Sequence, residues 1–281
     1  MANFTYGSGS FMSTTFTAPL VGTSDVITAN VLDNFTINGN GGNDTVTTAG
    51  GNDTITTGSG NDVIRAGDGN NTVTAGDGVN AVTTGSGNDT ITTGSGVDTV
   101  NSGSGHDTIT TGSGADTVNS GSGNDIVTAG AGADVINSGS GDDTVNAGTG
   151  NDRITAGAGT DLLTGGGGHD RFVYSNLADA RLGADKIYDF STSNPNQNGE
   201  GDMLDLRGLV DDFSGQGGSS LSQLVDRGYL DFSAGGGGTV ISFDSNGSAA
   251  GGDRGVLVTL VGVGFSGESN SVSSFADNIM V

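Results

Sequence analysis

A nine-residue period runs through the middle of this 281-residue chain without a slip. From Asp44 to Asp170 an aspartate or asparagine recurs every nine residues, always two residues after a glycine and two residues before an aliphatic or aromatic residue. Strict repetition of this kind predicts a solenoid, in which each repeat packs against its neighbours. A flexible Gly/Ser linker has similar composition, but a linker has no reason to keep an apolar side chain at one phase.

Each repeat divides into a turn and a short strand. The Gly-x-Gly-x-Asp stretch turns sharply, because glycine reaches positive φ without steric cost. The x-apolar-x triplet that follows is a strand whose central side chain points inward. Two repeats make a coil of eighteen residues, so odd and even repeats are predicted to form two opposed parallel sheets. The predicted fold class is all-β: a right-handed parallel β-roll with a C-terminal β-rich capping domain.

The repeat resembles the calcium-binding RTX nonapeptide, GGxGxDx(apolar)x, as in Gly-Ser-Gly-Asn-Asp-Thr-Ile-Thr around Asp89. The resemblance covers roughly residues 39–173. One departure is that the first glycine of the motif is usually Thr, Ser or Ala here, for example Thr84. The second glycine is replaced by Asn40 and Ala49 in the first two repeats, which predicts less regular turns there.

The resemblance implies that calcium lies between turns eighteen residues apart, held by two aspartates and by turn carbonyls. Hard cations of this kind prefer oxygen ligands. Nine complete Asp–Asp pairs occur at that spacing, so about nine or more Ca²⁺ ions are expected. The predicted ligands are the side chains of Asp44, Asp53, Asp62, Asp89, Asp98, Asp107, Asp116, Asp125, Asp134, Asp143, Asp152, Asp161 and Asp170, with turn carbonyls including those of Gly85, Gly87, Ser102, Gly103, Ser104, Gly105, Gly121 and Gly123.

Two repeats carry asparagine at the ligand position, Asn71 and Asn80. Both are included among the candidate metal ligands. A neutral amide oxygen can ligate a cation but brings no charge, so weaker or empty sites are predicted there. The alternative is that both are ordinary Asx turn residues, and the sequence leaves the two interpretations open.

The chain is strongly acidic, with a formal net charge of −24 from 32 acidic and 8 basic residues. Bound calcium would neutralise much of this charge. Each repeat buries little apolar surface, so the roll is predicted to fold only when cations bind, as other metal-coupled domains do. The sequence has no basic patch to neutralise phosphates, which excludes nucleic acid as a default partner.

Several features predict a bacterial protein that is secreted, extracellular or at the cell surface. Residues 1–20 lack a charged n-region and an apolar h-region, so no cleavable signal peptide is expected, and no apolar run is long enough to span a membrane. The segments beginning at Asp170, Asp185 and Gly201, and the final Asp-Asn-Ile-Met-Val, are similar to the capping and targeting domain of type I secretion substrates. The resemblance implies the type I secretion machinery as a partner, with folding on extracellular calcium.

Composition divides the chain into an N-terminal cap (1–38), the calcium-binding roll (39–173) and a C-terminal capping and secretion domain (174–281). The last segment alternates apolar and polar residues, which predicts strands, with a short helix at Ser220 to Asp226.

No catalytic motif is present, so the chain is predicted not to be an enzyme. It has no H-E-x-x-H zinc helix, no G-x-S-x-G elbow and no cysteine. His106 and His169 both precede a repeat aspartate and are predicted to be surface turn residues.

The outward residues of one predicted sheet are mostly threonines. The pairs are Thr54/Thr56, Thr72/Thr74, Thr90/Thr92, Thr108/Thr110, Ile126/Thr128, Thr144/Asn146 and Leu162/Thr164. Threonine simply favours strands, which explains such a face without any function. Three functional interpretations remain: self-assembly into a surface layer, filament or biofilm matrix, which is favoured; ice binding; and a small secreted effector that acts on a host membrane or glycan.

Overall fold

The computed structural model describes residues 3–6, 15–17, 22–29, 32–175, 184–192, 201–209, 223, 225, 229–235, 237–244, 254–263 and 278–280. Contacts divide the chain into two units, Met1–Ser138 and Gly139–Val281. Both are built from short parallel strands joined by glycine-rich turns, as the period predicts. The three segments inferred from composition stay a prediction.

The first unit consists of two parallel sheets in which every second strand pairs. One has the order β1-β3-β5-β7-β9-β11-β13 and the other β2-β4-β6-β8-β10-β12-β14. The strands are β1 (Asn3–Tyr6), β2 (Thr15–Thr17), β3 (Val26–Ala29), β4 (Thr36–Asn38), β5 (Thr45–Thr48), β6 (Thr54–Thr56), β7 (Val63–Gly67), β8 (Thr72–Gly76), β9 (Ala81–Thr84), β10 (Thr90–Thr93), β11 (Thr99–Ser104), β12 (Thr108–Ser113), β13 (Thr117–Ser122) and β14 (Ile126–Ala131).

The core of the first unit is built mainly from one large apolar side chain of each strand from β3 to β14. These residues lie at the predicted inward phase, and all are at most 2% exposed: Ile27, Ile37, Val46, Ile55, Ile64, Val73, Val82, Ile91, Val100, Ile109, Val118 and Val127. Strand register places residues eighteen apart directly opposite each other, for example Ile91 with Ile109. The predicted pair of opposed sheets is therefore confirmed.

Glycine conformation explains why the turns tolerate so few other residues. Gly114 has a φ of 141°, which L-residues rarely adopt. In the first repeats the pattern loosens as predicted, because Asn40 stands where most repeats have glycine and adopts a φ of 58°. Asparagine is among the residues that tolerate this left-handed region best.

The second unit continues the same construction and adds an antiparallel part. Strand β15 (Val135–Ser140) contains the boundary between the units. The remaining strands are β16 (Thr144–Thr149), β17 (Arg153–Ala158), β18 (Leu162–Gly167), β19 (Arg171–Val173), β20 (Asp185–Ile187), β21 (Met203–Asp205), β22 (Leu230–Gly235), β23 (Gly238–Asp244), β24 (Arg254–Val261) and β25 (Ile279–Met280).

Both sheets of the second unit extend past the last repeat. One has the order β17-β19-β21-β25 and the other β16-β18-β20-β24-β23-β22. The pairs β22–β23 and β23–β24 are antiparallel, so the C-terminal region is β-rich, as predicted. Arg171 and Arg207 both form ion pairs with the nearly buried Asp205, and Phe172 packs against Phe190 with ring centroids 6.0 Å apart.

Little helix is present among the described residues. Residues 207–209 are helical, as are Gln223 and Val225. The rest of the helix predicted at Ser220 to Asp226 lies outside the described residues. None of the helical segments in the described part of the chain is long and apolar enough to cross a membrane.

Candidate metal centre

The repeat aspartates form buried columns just inside the turns. All thirteen are at most 1% exposed. Each aspartate lies at the end of a turn, directly before a strand. Because the strands pair in register, aspartates eighteen residues apart in the sequence stack on one another in successive coils. A column of stacked, buried carboxylates is costly, because burial removes hydration and like charges repel.

One oxygen of each side chain is used by the fold itself. The backbone N–H of Asp89 donates to Asp107 Oδ1 at 2.8 Å, and the N–H of Asp98 donates to Asp116 Oδ1 at 2.8 Å. The same bond links Asp152 to Asp170 at 2.9 Å in the second unit. These bonds tie each coil to the next and hold every carboxylate in a fixed orientation.

In several repeat aspartates the other oxygen has no hydrogen-bond donor. Among the described residues, buried Oδ2 atoms with no hydrogen-bond partner belong to Asp44, Asp53, Asp62, Asp89, Asp98, Asp107, Asp116 and Asp170. Natural proteins rarely leave a buried polar atom unsatisfied without a reason. A row of oriented oxygen acceptors with no donor fits a cation that prefers oxygen ligands.

A row of buried hydroxyls lies beside the carboxylates at the position where the RTX motif has its first glycine. Thr84 Oγ1 donates to the carbonyl of Ser102 at 2.7 Å, and Ser102 Oγ donates to the carbonyl of Ser120 at 2.8 Å. A hydroxyl has a single hydrogen to donate, so a hydroxyl that donates to a carbonyl does not satisfy an aspartate oxygen at the same time. The hydroxyls still lie close to the carboxylates: burial raises the pKa of Asp89, and the neighbouring Thr84 hydroxyl lowers it. The sequence shows that Thr or Ser often occupies this position of the repeat. Only the structure shows that each of these hydroxyls donates to a carbonyl in the next coil.

Burial also affects the ionisation of the column. Burial raises the pKa of Asp44 from 3.8 to about 6. A backbone hydrogen bond from Asp25 opposes this increase, and the negative charge of Asp62 adds to it. The pKa of Asp170 is likewise raised to about 6, chiefly by burial. A bound cation would reverse this effect, because it favours the charged carboxylate.

The predicted carbonyl ligands lie in the same turns, and several already accept hydrogen bonds. The Gly85 carbonyl accepts the Ser104 N–H at 3.0 Å, and the Ser104 carbonyl accepts the Gly87 N–H at 2.8 Å. A carbonyl oxygen has two lone pairs, so each retains capacity for a cation. Gly103, Gly105, Gly121 and Gly123 occupy the following turns with φ between 104° and 136°. Their roles as ligands stay a prediction.

Asparagines 71 and 80 lie in the columns but bond differently. Asn71 Nδ2 donates to the carbonyls of Gly67 at 3.2 Å and Gly69 at 2.9 Å. Asn80 Nδ2 donates to those of Gly76 at 2.9 Å and Gly78 at 3.3 Å. Both residues are 1% exposed.

Three aspartates outside the nine-residue period extend the columns. The N–H of Asp25 donates to Asp44 Oδ1, that of Asp161 to Asp185 Oδ1, and that of Asp170 to Asp202 Oδ1. Sequence reasoning missed these residues as members of the ladder, because the spacing there is 19, 24 and 32 residues. The available signal was an apolar residue two positions after each of them.

The three flanking aspartates differ from the repeat aspartates at Oδ2. Asp25 Oδ2 accepts the Thr23 hydroxyl at 3.2 Å, Asp185 Oδ2 accepts the Tyr174 hydroxyl at 2.9 Å, and Asp202 Oδ2 accepts the Ser191 N–H at 2.7 Å. Protein donors thus satisfy Oδ2 at these three residues, whereas Oδ2 of Asp89, Asp98 and Asp107 has no donor and is left for a cation.

Both histidines lie in turns and belong to an outer hydrogen-bond ladder. His106 is exposed; its N–H donates to Asn88 Oδ1 at 2.8 Å, and its Nδ1 accepts the Asn124 N–H at 2.7 Å. The His169 N–H donates to Asn151 Oδ1 at 2.9 Å. The predicted turn positions are therefore correct.

Within the described residues, no group of three or more His, Cys, Asp or Glu side chains is placed to hold a metal ion.

Comparison with known protein families agrees with the geometry. The RTX calcium-binding nonapeptide repeat, in its four-copy form, matches residues 38–73, 47–82, 74–109, 110–145 and 137–172. The repeat array belongs to the RTX family. This makes the chain a calcium-binding β-roll protein, and the free carboxylate oxygens of its RTX repeats fit that ion. No curated protein matches the chain.

The raised pKa values predict that acid partly replaces calcium. A folded-state pKa of about 6 against 3.8 for the ordinary carboxyl means that folding takes up protons. This contribution to stability is full below about 3.8 and is lost as the pH rises through about 6. In calcium-free buffer we expect more β-structure at pH 5 than at pH 7.5, measured by far-UV circular dichroism.

The same shift has a second consequence, which serves as the control. Calcium must displace the bound protons, so its apparent affinity should be weaker at pH 5.5 than at pH 7.5 in calorimetric titrations. A calcium-free spectrum that does not change between pH 7.5 and pH 5 would contradict the assignment of the buried carboxylates.

Proposed function

We propose that this protein is a non-enzymatic, secreted structural protein whose β-roll folds on extracellular calcium and then assembles with copies of itself. In this proposal the C-terminal region directs export by a type I secretion machinery, and the assembled protein forms part of a bacterial surface layer or biofilm matrix. RTX repeat proteins are typically secreted, and a calcium-requiring fold suits passage as an unfolded chain through a calcium-poor cytosol.

The observation that carries the proposal is a flat, uncharged threonine face on the sheet that contains the even-numbered strands β4 to β14. Thr90 lies opposite Thr72 and Thr108, and Thr92 lies opposite Thr74 and Thr110. These six side chains are exposed. Neighbouring strands lie about 4.8 Å apart, so the face presents two straight ranks of hydroxyl and methyl groups.

Such a face suits stacking against an identical face. On the even-numbered strands β4 to β14 the outward residues carry no charge, although the chain as a whole has a net charge of −24. Within the repeat array the acidic groups lie in the turns and the buried columns, so two such faces could approach without like-charge repulsion. Bound calcium would further reduce the repulsion between whole molecules.

Ice binding is the second candidate, and the same ranks support it. Regularly spaced threonine hydroxyls and methyls resemble the surfaces that ice-binding solenoids use to order water. The two candidates predict different observables, because ice binding needs a free face whereas assembly covers it.

The substitution Thr90→Arg tests both candidates. Arginine at the middle of the face places a long charged side chain where flat contact is required. We expect Thr90→Arg to reduce calcium-dependent sheets or fibres by at least about tenfold, as measured by electron microscopy and sedimentation. Thr99→Arg, on the outer side of the other sheet, is the matched control and should assemble normally.

The outcomes separate the two proposals. A wild-type protein that remains monomeric at high concentration and millimolar calcium would refute self-assembly. Thermal hysteresis that Thr90→Arg abolishes and Thr99→Arg preserves would instead establish ice binding. An absence of hysteresis in the wild type would remove the ice-binding candidate.

A further inference from the structure

We propose that one coil of the roll, residues 67–84, closes itself without calcium because the side-chain amides of Asn71 and Asn80 take the place of the cation. This segment, called the amide coil below, contains two successive glycine turns together with β8 and β9. Its two turns are the only repeat turns between Asp44 and Asp170 that carry asparagine at the ligand position.

The hydrogen bonds distinguish the oxygen from the NH₂ group in each side-chain amide. Asn71 Oδ1 accepts the backbone N–H of Asp53 at 3.0 Å, and Asn80 Oδ1 accepts that of Asp62 at 3.1 Å. Aspartate Oδ1 atoms make the same bond elsewhere in the ladder. The NH₂ group must therefore occupy the place of the free aspartate Oδ2, which is where it meets the turn carbonyls.

The donor count explains why these turns need no ion. Each NH₂ group has two hydrogens and donates them to two turn carbonyls, those of Gly67 and Gly69 for Asn71. An aspartate in this position would direct an oxygen at the same two acceptors, with no hydrogen between them. Three converging oxygen atoms require a cation, whereas an amide and two carbonyls satisfy one another. Calcium does not fit these two turns.

The acidic group of each amide turn lies on the surface instead. Asp68 Oδ1 accepts both the N–H and the hydroxyl of Ser86, at 2.9 and 2.8 Å. Asp77 Oδ1 accepts the same two groups of Ser95, at 2.9 and 2.7 Å. These hydrogen bonds lower the pKa of both exposed carboxyls, so both are ionised at neutral pH. Each amide turn is thereby hydrogen-bonded to the next coil on its outer surface.

The amide coil is also hydrogen-bonded to the next coil on the inside. The N–H of Asn71 donates to Asp89 Oδ1 at 2.8 Å, and that of Asn80 donates to Asp98 Oδ1 at 2.7 Å. A solenoid is stabilised by nearest-neighbour contacts and propagates from whichever repeat forms first. Together with the strands that it pairs with, the amide coil therefore forms the part of the roll that needs the fewest ions, and the remaining aspartate coils add to it as calcium binds.

Hydrogen exchange in calcium-free buffer tests the inference at peptide resolution. Peptides from residues 67–84 should exchange at least tenfold more slowly than those from residues 103–120, a coil of equal length whose turns carry Asp107 and Asp116. Equal exchange rates in the two coils, whether fast or slow, would overturn the proposal. The test depends on calcium binding by the array and not on the proposed assembly.

Reciprocal substitutions make the assignment specific to the amides. N71D/N80D should abolish the slow exchange of residues 67–84 without calcium and raise the number of calcium ions bound per chain by at least one, measured by calorimetry. D107N/D116N should lower that number and slow the calcium-free exchange of residues 103–120. Unchanged calcium stoichiometry in N71D/N80D would show that the amide turns are not distinguished by their amides and would overturn the proposal.

Discussion

Removing calcium is expected to abolish most of the β-structure of the repeat array at neutral pH. Buried carboxylate oxygens without donors, such as those of Asp89, Asp98, Asp107 and Asp116, lie in columns where like charges repel. Without a cation this burial is unfavourable, and the single apolar side chain of each strand offers little to offset it. Folding is therefore coupled to metal binding, as in small metal-dependent domains.

The measurement is far-UV circular dichroism and thermal melting in excess chelator and in millimolar calcium. We expect a mostly unfolded spectrum with chelator and a cooperative melt with calcium. Magnesium at the same concentration is the control; it should restore little structure, because it retains its water and demands octahedral geometry. Identical spectra and melting points in chelator and calcium would show that the ion does not hold the coils together.

The second large effect is expected at a turn glycine. Gly114 has a φ of 141°, and a methyl group on its Cα would overlap the carbonyl oxygen of Gly96 in the preceding coil. Both atoms belong to the backbone, so neither can rotate away. The strained φ costs about 1–3 kcal/mol and the overlap about 1–3 kcal/mol, so Gly114→Ala should destabilise the roll by about 2–6 kcal/mol.

The matched control is a glycine with room for a side chain. Gly167 lies three residues before Asp170, one position earlier in its turn than Gly114, which lies two residues before Asp116. The atom nearest to a Cβ at Gly167 is Thr149 Cγ2 at 4.0 Å. Gly167→Ala should change stability by less than about 0.5 kcal/mol. Both variants are compared by thermal melting in saturating calcium. A Gly114→Ala protein that melts like Gly167→Ala would mean that the coils do not approach each other as closely as described.

Much of the fold could be predicted from the period alone. The inward phase of Ile91 and Ile109 and the division into two parallel sheets follow from a nine-residue unit with an apolar residue at one position. The turns follow from the glycine pattern, and the irregular start at Asn40 follows from its absence. Each of these properties is local or repeats identically, so it needs no knowledge of the neighbouring coil.

The residues at which the aspartate columns end could not be predicted in the same way. Asp185 and Asp202 continue the ladders beyond the last repeat, where the nine-residue period has ended, and no fixed spacing identifies them. Whether their second oxygen is satisfied depends on Tyr174 and Ser191, residues brought to them by the chain fold. Whether a carboxylate oxygen has a hydrogen-bond donor depends on the residues that the fold places beside it, so the spacing of aspartates in the sequence does not predict it.

The two asparagines show the same division. By itself, the sequence determined that Asn71 and Asn80 sit at the ligand position of a calcium-binding repeat, because a strict period assigns every residue its place in the turn. Only the tertiary structure decided what they do there, since an amide can present either its oxygen or its NH₂ group to the turn. Stacking on the preceding coil uses the oxygen and leaves the NH₂ group to close the turn.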